Sequence, residues 1–183
     1  FTGTITLQNG MLALLGKTGS LAVVPLTFNF LGDVGTFQYD GTGAAGTISQ
    51  TLGALSFTAG ESVVKSTLGS ASGTTLTFAS LARTNGATAN FVLDGGVNGS
   101  TNRFVITGQP DGFINQGTFF NGNNYAWMNA AGTYLRGINY AADSLAFTTG
   151  ATTSITPGAN LYFQTTGAIT IVGDEVHLPY DRP

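Results

Sequence analysis

The 183-residue chain has no cysteine and a single histidine, His177. Disulfide frameworks and thiolate metal centres are thereby excluded, as is a zinc site built from several histidines. Charge is scarce as well. Six Lys/Arg and nine Asp/Glu leave a formal net charge of −3. Six scattered cations give no footing on a nucleic-acid backbone or an anionic lipid surface, so neither is expected as a partner. The longest apolar run, Leu21-Ala22-Val23-Val24-Pro25-Leu26, is too short to cross a bilayer and holds a proline, so no membrane span is expected. No basic-apolar-small leader pattern opens the chain. Phe1 stands where an initiator Met would, so a processed chain or a piece of a longer polypeptide is expected.

What remains is rich in residues that suit strands and turns. There are 27 Gly and 28 Thr, but only two Glu, a mixture unable to build two-faced helices. Thr sits well on a pleated surface, and Gly serves the turns. A hydrophobic fraction of 42% supplies a core. The 13 Phe and 6 Tyr are spread along the length, which suits an elongated core rather than one centre.

Apolar residues alternate over short runs: 3–7, 26–30, 35–39, 54–58, 75–78, 89–93, 103–107, 144–148, 161–164 and 168–172. Each run reads as a strand buried on one face. Asn9-Gly10, Asp40-Gly41, Asn85-Gly86, Asp94-Gly95-Gly96, Asn98-Gly99, Asp111-Gly112 and Asn121-Gly122 separate them as turns. The spacing fits a sandwich, a barrel or a solenoid. A cassette of Gly, Thr or Ala, then alternating apolar residues and Thr or Ser, returns at 3–7, 46–50, 73–78 and 167–171. Its intervals are irregular, which a parallel β-helix tolerates because loops leave at its corners. The expected fold is all-β: a right-handed parallel β-helix (β-solenoid) over residues 1–172, with a β-sandwich as the alternative. Residues 98–140, rich in Asn, Gly and aromatics, are expected as a hairpin-bearing insertion. Residues 173–183 form a charged, Pro-rich tail.

The opening Phe1-Thr2-Gly3-Thr4-Ile5-Thr6-Leu7-Gln8-Asn9-Gly10-Met11-Leu12-Ala13-Leu14 resembles the autotransporter-associated β-strand repeat of bacterial surface proteins. Residues 50–62, 81–91 and 117–122 are similar to the large proteins that bear it. The resemblance implies an extracellular or cell-surface right-handed β-helix, normally part of a far longer polypeptide, with no shared catalytic residue to carry over. The repeat occurs clearly once rather than in tandem, and no membrane-barrel translocator follows it.

Catalytic candidates are few. Asp94, Arg103 and Asp111 lie close in sequence, with Arg136 and Asp143 later, but no two acids have the i, i+2 spacing that would place them on one strand face. Most of the Asp residues adjoin Gly or Pro and read as turn caps. Asp174 and Glu175 point to opposite faces of any strand, and His177 has no nucleophile motif beside it. Neither an enzyme nor a cofactor or metal centre is expected. Asn98-Gly99-Ser100 matches a glycosylation acceptor but reads as a turn. Residues 159–165 nearly spell a protease-tag site and read as native strand. Thr4-Ile5-Thr6 and Thr75-Leu76-Thr77 fit the ranks of an ice-binding solenoid, though the rank is not sustained.

Two readings of function follow. In the first, the chain is a structural piece of an extracellular fibre, sheath or surface layer. It would associate with itself head to tail through open β-edges at Phe1, Thr2, Gly3, Thr4, Ile5, Thr6 and Leu7 and at Ile169, Thr170, Ile171 and Val172. The alternative is an adhesin module that binds surface polysaccharide. There Tyr125 and Trp127 would share one strand face, with Asn123, Asn124 and Asn129 as polar neighbours. The plainer role for that aromatic pair, covering the core of the insertion, is the first expectation.

Overall fold

A computed structural model describes residues 2–30, 32, 34–143, 145–146 and 161–162. Two units divide the chain, Phe1–Ile138 and Asn139–Pro183.

The first unit is a solenoid of about four turns. Its strands alternate between two sheets as the chain proceeds. One sheet takes β1 (Ile5–Leu7), β3 (Leu26–Asn29), β5 (Thr47–Ala59), β7 (Gly73–Arg83) and β9 (Asn102–Ile106), all paired in parallel. The other takes β2 (Met11–Leu15), β4 (Gly35–Asp40), β6 (Glu61–Thr67) and β8 (Thr88–Asp94), again in parallel. Every rung therefore contributes to both sheets, which a sandwich of antiparallel hairpins cannot do.

The rung length is 21 residues from Ile5 to Leu26, 29 from Leu26 to Leu55 and 26 from Leu55 to Leu81. The Gly/Thr cassettes do not occupy equivalent places. That at 3–7 stacks on Leu26 and hence on the second half of β5, whereas that at 46–50 forms its first half. Cassettes 46–50 and 73–78 lie on adjacent rungs one residue out of phase, with Ile48 beside Thr74 and Gln50 beside Leu76.

β5 and β7 are long because they run through a corner, which falls at Gly53 in β5. Its N–H donates to the Val24 carbonyl at 2.8 Å, and a Cβ there would lie 2.9 Å from the Pro25 nitrogen. Backbone, not a yielding side chain, occupies the space. Glycine is what lets the corner close.

Inward positions stack into columns. Leu26 and Leu55 share one column, Phe28 and Phe57 a second, and Phe37, Val64 and Phe91 a third, all fully buried. The rings meet across rungs and sheets: Phe28 and Phe57 stack at 5.1 Å, while Phe91 meets Phe57 at 6.2 Å and Phe104 at 5.2 Å, both edge-on. Each such side chain contributes about 1.5–3 kcal/mol by leaving water, so the core runs along the axis as the Phe distribution implied.

Among the described residues, the buried polar side chains are Gln50, Ser62, Ser66, Thr74, Asn102 and Thr118. Gln50 and Asn102 are buried, and each satisfies its amide with backbone. Asn102 donates to the carbonyls of Ser66 and Gly95 and accepts from Ser66 Oγ at 2.7 Å, tying one rung to the next. Gln50 does the same for a loop, bonding both the N–H and the C=O of Leu21.

Residues 98–140 divide between stack and closure. β9 and β11 (Thr118–Phe120) continue the parallel sheets, β11 pairing with β8. The order then reverses. β12 (Asn124–Met128) pairs antiparallel with β11 and with β10 (Gly112–Phe113) on one side, and with β13 (Leu135–Gly137) on the other. The β11–β12 hairpin turns at Asn121 and Gly122, with φ of 52° and 74°, a left-handed pair that Asn and Gly adopt at least cost. The second unit, taken by itself, holds α1 (Tyr140–Asp143) and a parallel pair of β14 (Leu145–Ala146) and β15 (Leu161–Tyr162). No helix among the described residues is long and apolar enough to cross a membrane.

Candidate functional site

Two surfaces of the first unit are built in a way that packing alone does not require. The first is the outer edge of the opening rung. Thr36 N–H donates to the Gly10 carbonyl and Gly16 N–H to the Asp40 carbonyl, which sets the phase of the β2–β4 ladder. Even-numbered residues of β2 thus spend their backbone groups on β4, and the odd ones face away. The N–H and C=O of Met11 and Ala13 and the N–H of Leu15 have no described partner; the Leu15 carbonyl accepts from Thr18 and Gly19. In β1, the Ile5 N–H donates to Pro25, so Thr6 is the outward residue. The side chains of Met11 and Leu15 are 64% and 50% exposed, an unusual state for large apolar groups.

Of the edge residues expected from sequence, Thr6 therefore offers its backbone, while Ile5 and Leu7 are committed to β3. Thr2, Gly3 and Thr4 precede the strand and are exposed. Phe1, Ile169, Thr170, Ile171 and Val172 lie outside the described residues, as do the 173–183 tail, Asp174, Glu175 and His177. Met11, Ala13 and Leu15 were missed as edge residues. Their run, Met11-Leu12-Ala13-Leu14-Leu15, does not alternate in polarity, because one end of the rung is apolar on both faces.

At the far end the edges differ. The β11 edge is covered by β12, and β12 by β13. In the other sheet, β9 finishes the row; the Phe104 N–H and C=O turn away from β7, but Asn102, Phe104 and Ile106 are fully buried, so this edge is not open to solvent as the first rung is.

The second surface is the outer face of β12. Ala126 and Met128 are fully buried, so Tyr125 and Trp127 project the other way. This overturns the expectation that the pair covers a core. The alternation itself is as expected, but the inward side belongs to the small and flexible residues. Neighbouring strands extend the face. Phe119 lies beside Tyr125 and stacks on it at 5.4 Å. Phe113 lies beside Trp127 and meets Tyr125 edge-on at 5.6 Å. On the other side Arg136, beside Trp127 in β13, places its guanidinium 5.6 Å from the indole centroid, a cation–π contact. Phe113, Phe119 and Arg136 join the site only through strand pairing, which no single segment reveals.

Of the asparagines, Asn123 is exposed and accepts from Asn124 Nδ2 at 3.1 Å. Asn129 is spent on its own turn, accepting from Ala131 N, Thr133 N and Thr133 Oγ1. It is a turn residue, not part of the aromatic face.

The charged candidates are dispersed. Asp40 accepts from Thr42 N at 2.8 Å, a turn cap. Asp94 instead pairs with Lys65 at 2.8 Å across one rung, and this bond and charge hold its carboxyl below the usual range. Arg103 donates to Thr75 Oγ1, and Asp143 accepts from Asn139 N at the start of α1. Arg83 donates to Asn115 Oδ1 and to the carbonyls of Thr84 and Ala87, pinning a corner to the next rung. Among the described residues no three His, Cys, Asp or Glu gather as a metal group would. Asn98 is turned inward, donating to the Leu135 carbonyl, a geometry that denies its amide to a glycan. Thr75 and Thr77 stack on Ser49 and Thr51, but Arg103 and Val105 end that rank on the next rung.

Comparison with protein-family models, curated proteins and solved structures gives no match.

Proposed function

We propose that this chain is a structural β-solenoid segment of an extracellular fibre, sheath or surface layer, and that copies add to one another end to end through the outer edge of the first rung. One observation carries the reading: the backbone groups of Thr6, Met11, Ala13 and Leu15 that face outward, beside the exposed side chains of Met11 and Leu15. An unpaired, uncharged, apolar edge is a template for another strand. Proteins that keep such edges monomeric place Lys, Pro or bulges there, and β2 has none of these. A head-to-tail contact between unlike surfaces of two copies propagates into filaments. A further coil of a longer polypeptide would use the same groups by the same bonds. The resemblance of residues 1–14 to the autotransporter-associated repeat supports a bacterial cell-surface setting.

The test is an edge block that leaves the fold alone. Proline at Ala13 removes an N–H that has no partner among the described residues, on an edge strand where proline is tolerated. The unaltered protein is expected to sediment as growing species with rising concentration and to form filaments on electron microscopy grids. Ala13→Pro should stay monomeric with an unchanged circular dichroism spectrum. Monodisperse monomers of the unaltered protein at every concentration would refute the proposal, and so would Ala13→Pro assembling like the original.

A further inference from the structure

We infer that Asn9 and Asn85 are sites of spontaneous deamidation, and that the reaction at Asn9 puts a carboxylate beside the open first rung. The first half stands by itself. The second rests on the end-to-end reading above.

Four Asn-Gly pairs occur in the chain: 9–10, 85–86, 98–99 and 121–122. Such pairs are prone to one reaction, because glycine has no side chain to keep its peptide nitrogen from the side chain before it. The Gly nitrogen loses its proton and bonds to Asn Cγ. The Cγ–Nδ2 bond then breaks, and Nδ2 takes up a proton and leaves as ammonia. Water opens the resulting cyclic imide at one of its two carbonyls. One opening gives Asp, and the other gives isoaspartate, in which the backbone runs through the side-chain carbon. No oxidant or enzyme is needed. Either product is ionised at neutral pH, so each event makes the formal net charge of −3 one unit more negative.

The fold sorts the four pairs. Reaction requires a Gly nitrogen that is not held elsewhere and an Asn side chain free to swing over it. At 121–122 both are spent: Gly122 N donates to Asn90 Oδ1, and Asn121 Oδ1 accepts from Leu93 N, each at 2.9 Å. At 98–99 they are spent again, with Gly99 N on the Asn102 carbonyl and Asn98 Nδ2 on the Leu135 carbonyl, each at 3.1 Å. The Tyr134 ring also covers that turn, since a Cβ on Gly99 would lie 2.5 Å from it. Asn121 is exposed, as Asn9 and Asn85 are, so the bonds decide and not the exposure. At 9–10 and 85–86, neither the Gly N–H nor the Asn side chain has a partner among the described residues. Nothing lies within 4 Å of a Cβ built on Gly10 or Gly86, which leaves room for the imide ring.

The two sites differ in consequence. Gly10 leads into β2, its carbonyl accepting from Thr36 N at 2.9 Å. A carboxylate at position 9 supplies the charge by which edge strands are kept from pairing, and β2 itself has none. Asn85 lies between β7 and β8, within the stack of rungs, and charges neither end of it.

The experiment ages the folded protein, dilute and in mildly alkaline buffer, and maps the sites by peptide mass spectrometry. Trypsin releases Asn9 in the peptide that ends at Lys17. It releases Asn85 together with Asn98 in peptide 84–103, so those two are compared in one molecule. Asn9 and Asn85 should each react at least ten times faster than Asn98 and Asn121, and in urea-unfolded protein the four rates should converge. Equal rates in the folded protein, or no reaction at Asn9 and Asn85, would overturn the site assignment. Sedimentation of freshly made variants tests the second half. Asn9→Asp should need a severalfold higher concentration to associate than the original, and Asn85→Asp should match the original. Association of Asn9→Asp at the original's concentration would overturn the charging of the edge and leave the mapped sites standing. An original that stays monomeric throughout would refute the end-to-end reading, and this second half with it.

Discussion

Gln50 should be worth more to stability as a glutamine than as any apolar residue of its size. It occupies an inward position on β5, beside Leu76 of the next rung, and is only 4% exposed. Its Oε1 accepts from Leu21 N at 3.0 Å, and its Nε2 donates to the carbonyls of Leu21 at 2.9 Å and Thr51 at 2.7 Å. The side-chain amide thus stands in for the peptide group of a missing strand, because Leu21 lies in a loop with no ladder partner. Gln50→Leu removes three bonds of about 1 kcal/mol each and strands the Leu21 groups. Water reaches half-buried Leu21, and new apolar burial returns about 1 kcal/mol. The net cost is about 2 kcal/mol. Gln50→Ala adds a cavity and should cost about 3 kcal/mol or more. Gln50→Glu places a charge there without the donor, and should cost the most at pH 7. Urea unfolding followed by circular dichroism gives the three values from the shift in midpoint at constant slope. A neutral or stabilising Gln50→Leu would refute the reasoning.

Ser62 is fully buried and its Oγ has no partner among the described residues, while Ala89 and Gly35 flank it in the same column, so Ser62→Ala should raise stability by about 1 kcal/mol in the same urea assay. Burial raises the pKa of the Tyr39 hydroxyl. The folded state then holds this proton more tightly than the unfolded chain, so the stabilisation is complete below the unfolded pKa of about 10 and falls as pH rises beyond it. Stability curves between pH 9 and 11 should decline less steeply for Tyr39→Phe than for the original. Asp94 runs the other way: its carboxyl is lowered mainly by the hydrogen bond from Lys65, so its contribution is present above the unfolded pKa of about 4 and is lost on acidification. Because the pair is exposed, Asp94→Asn should cost no more than about 0.5 kcal/mol at neutral pH, and added salt should shrink that cost further.

The strands that alternate cleanly could be read from sequence almost to the residue. The runs at 26–30, 35–39, 89–93 and 103–107 correspond to β3, β4, β8 and β9. There, one face is core and the other is solvent, so polarity reports orientation. β6 was not legible because its inward side carries Ser62 and Ser66 around Val64, which reverses the expected polarity of alternate positions. The cassettes gave the right class of fold through the wrong equivalence. Stacking is set by which residues share a column, and Gly-Thr pairs recur at more than one place in a rung. The aromatic pair on β12 was visible, but its direction was not. Period-two alternation marks two faces without saying which is inside, and here Ala126 and Met128 take the core. Phe113, Phe119 and Arg136 come from three other strands, and only the register brings them together.

Amide hydrogen exchange along β2, followed residue by residue by NMR, tests the open first rung most directly. In dilute monomer, the amides of Leu12, Leu14 and Gly16 should be protected by β4, while those of Met11, Ala13 and Leu15 exchange freely. On assembly at high concentration the odd-numbered amides should become protected as well. Equal protection of odd and even amides in the monomer would contradict an open edge, and odd amides that still exchange freely in the assembled state would contradict its use.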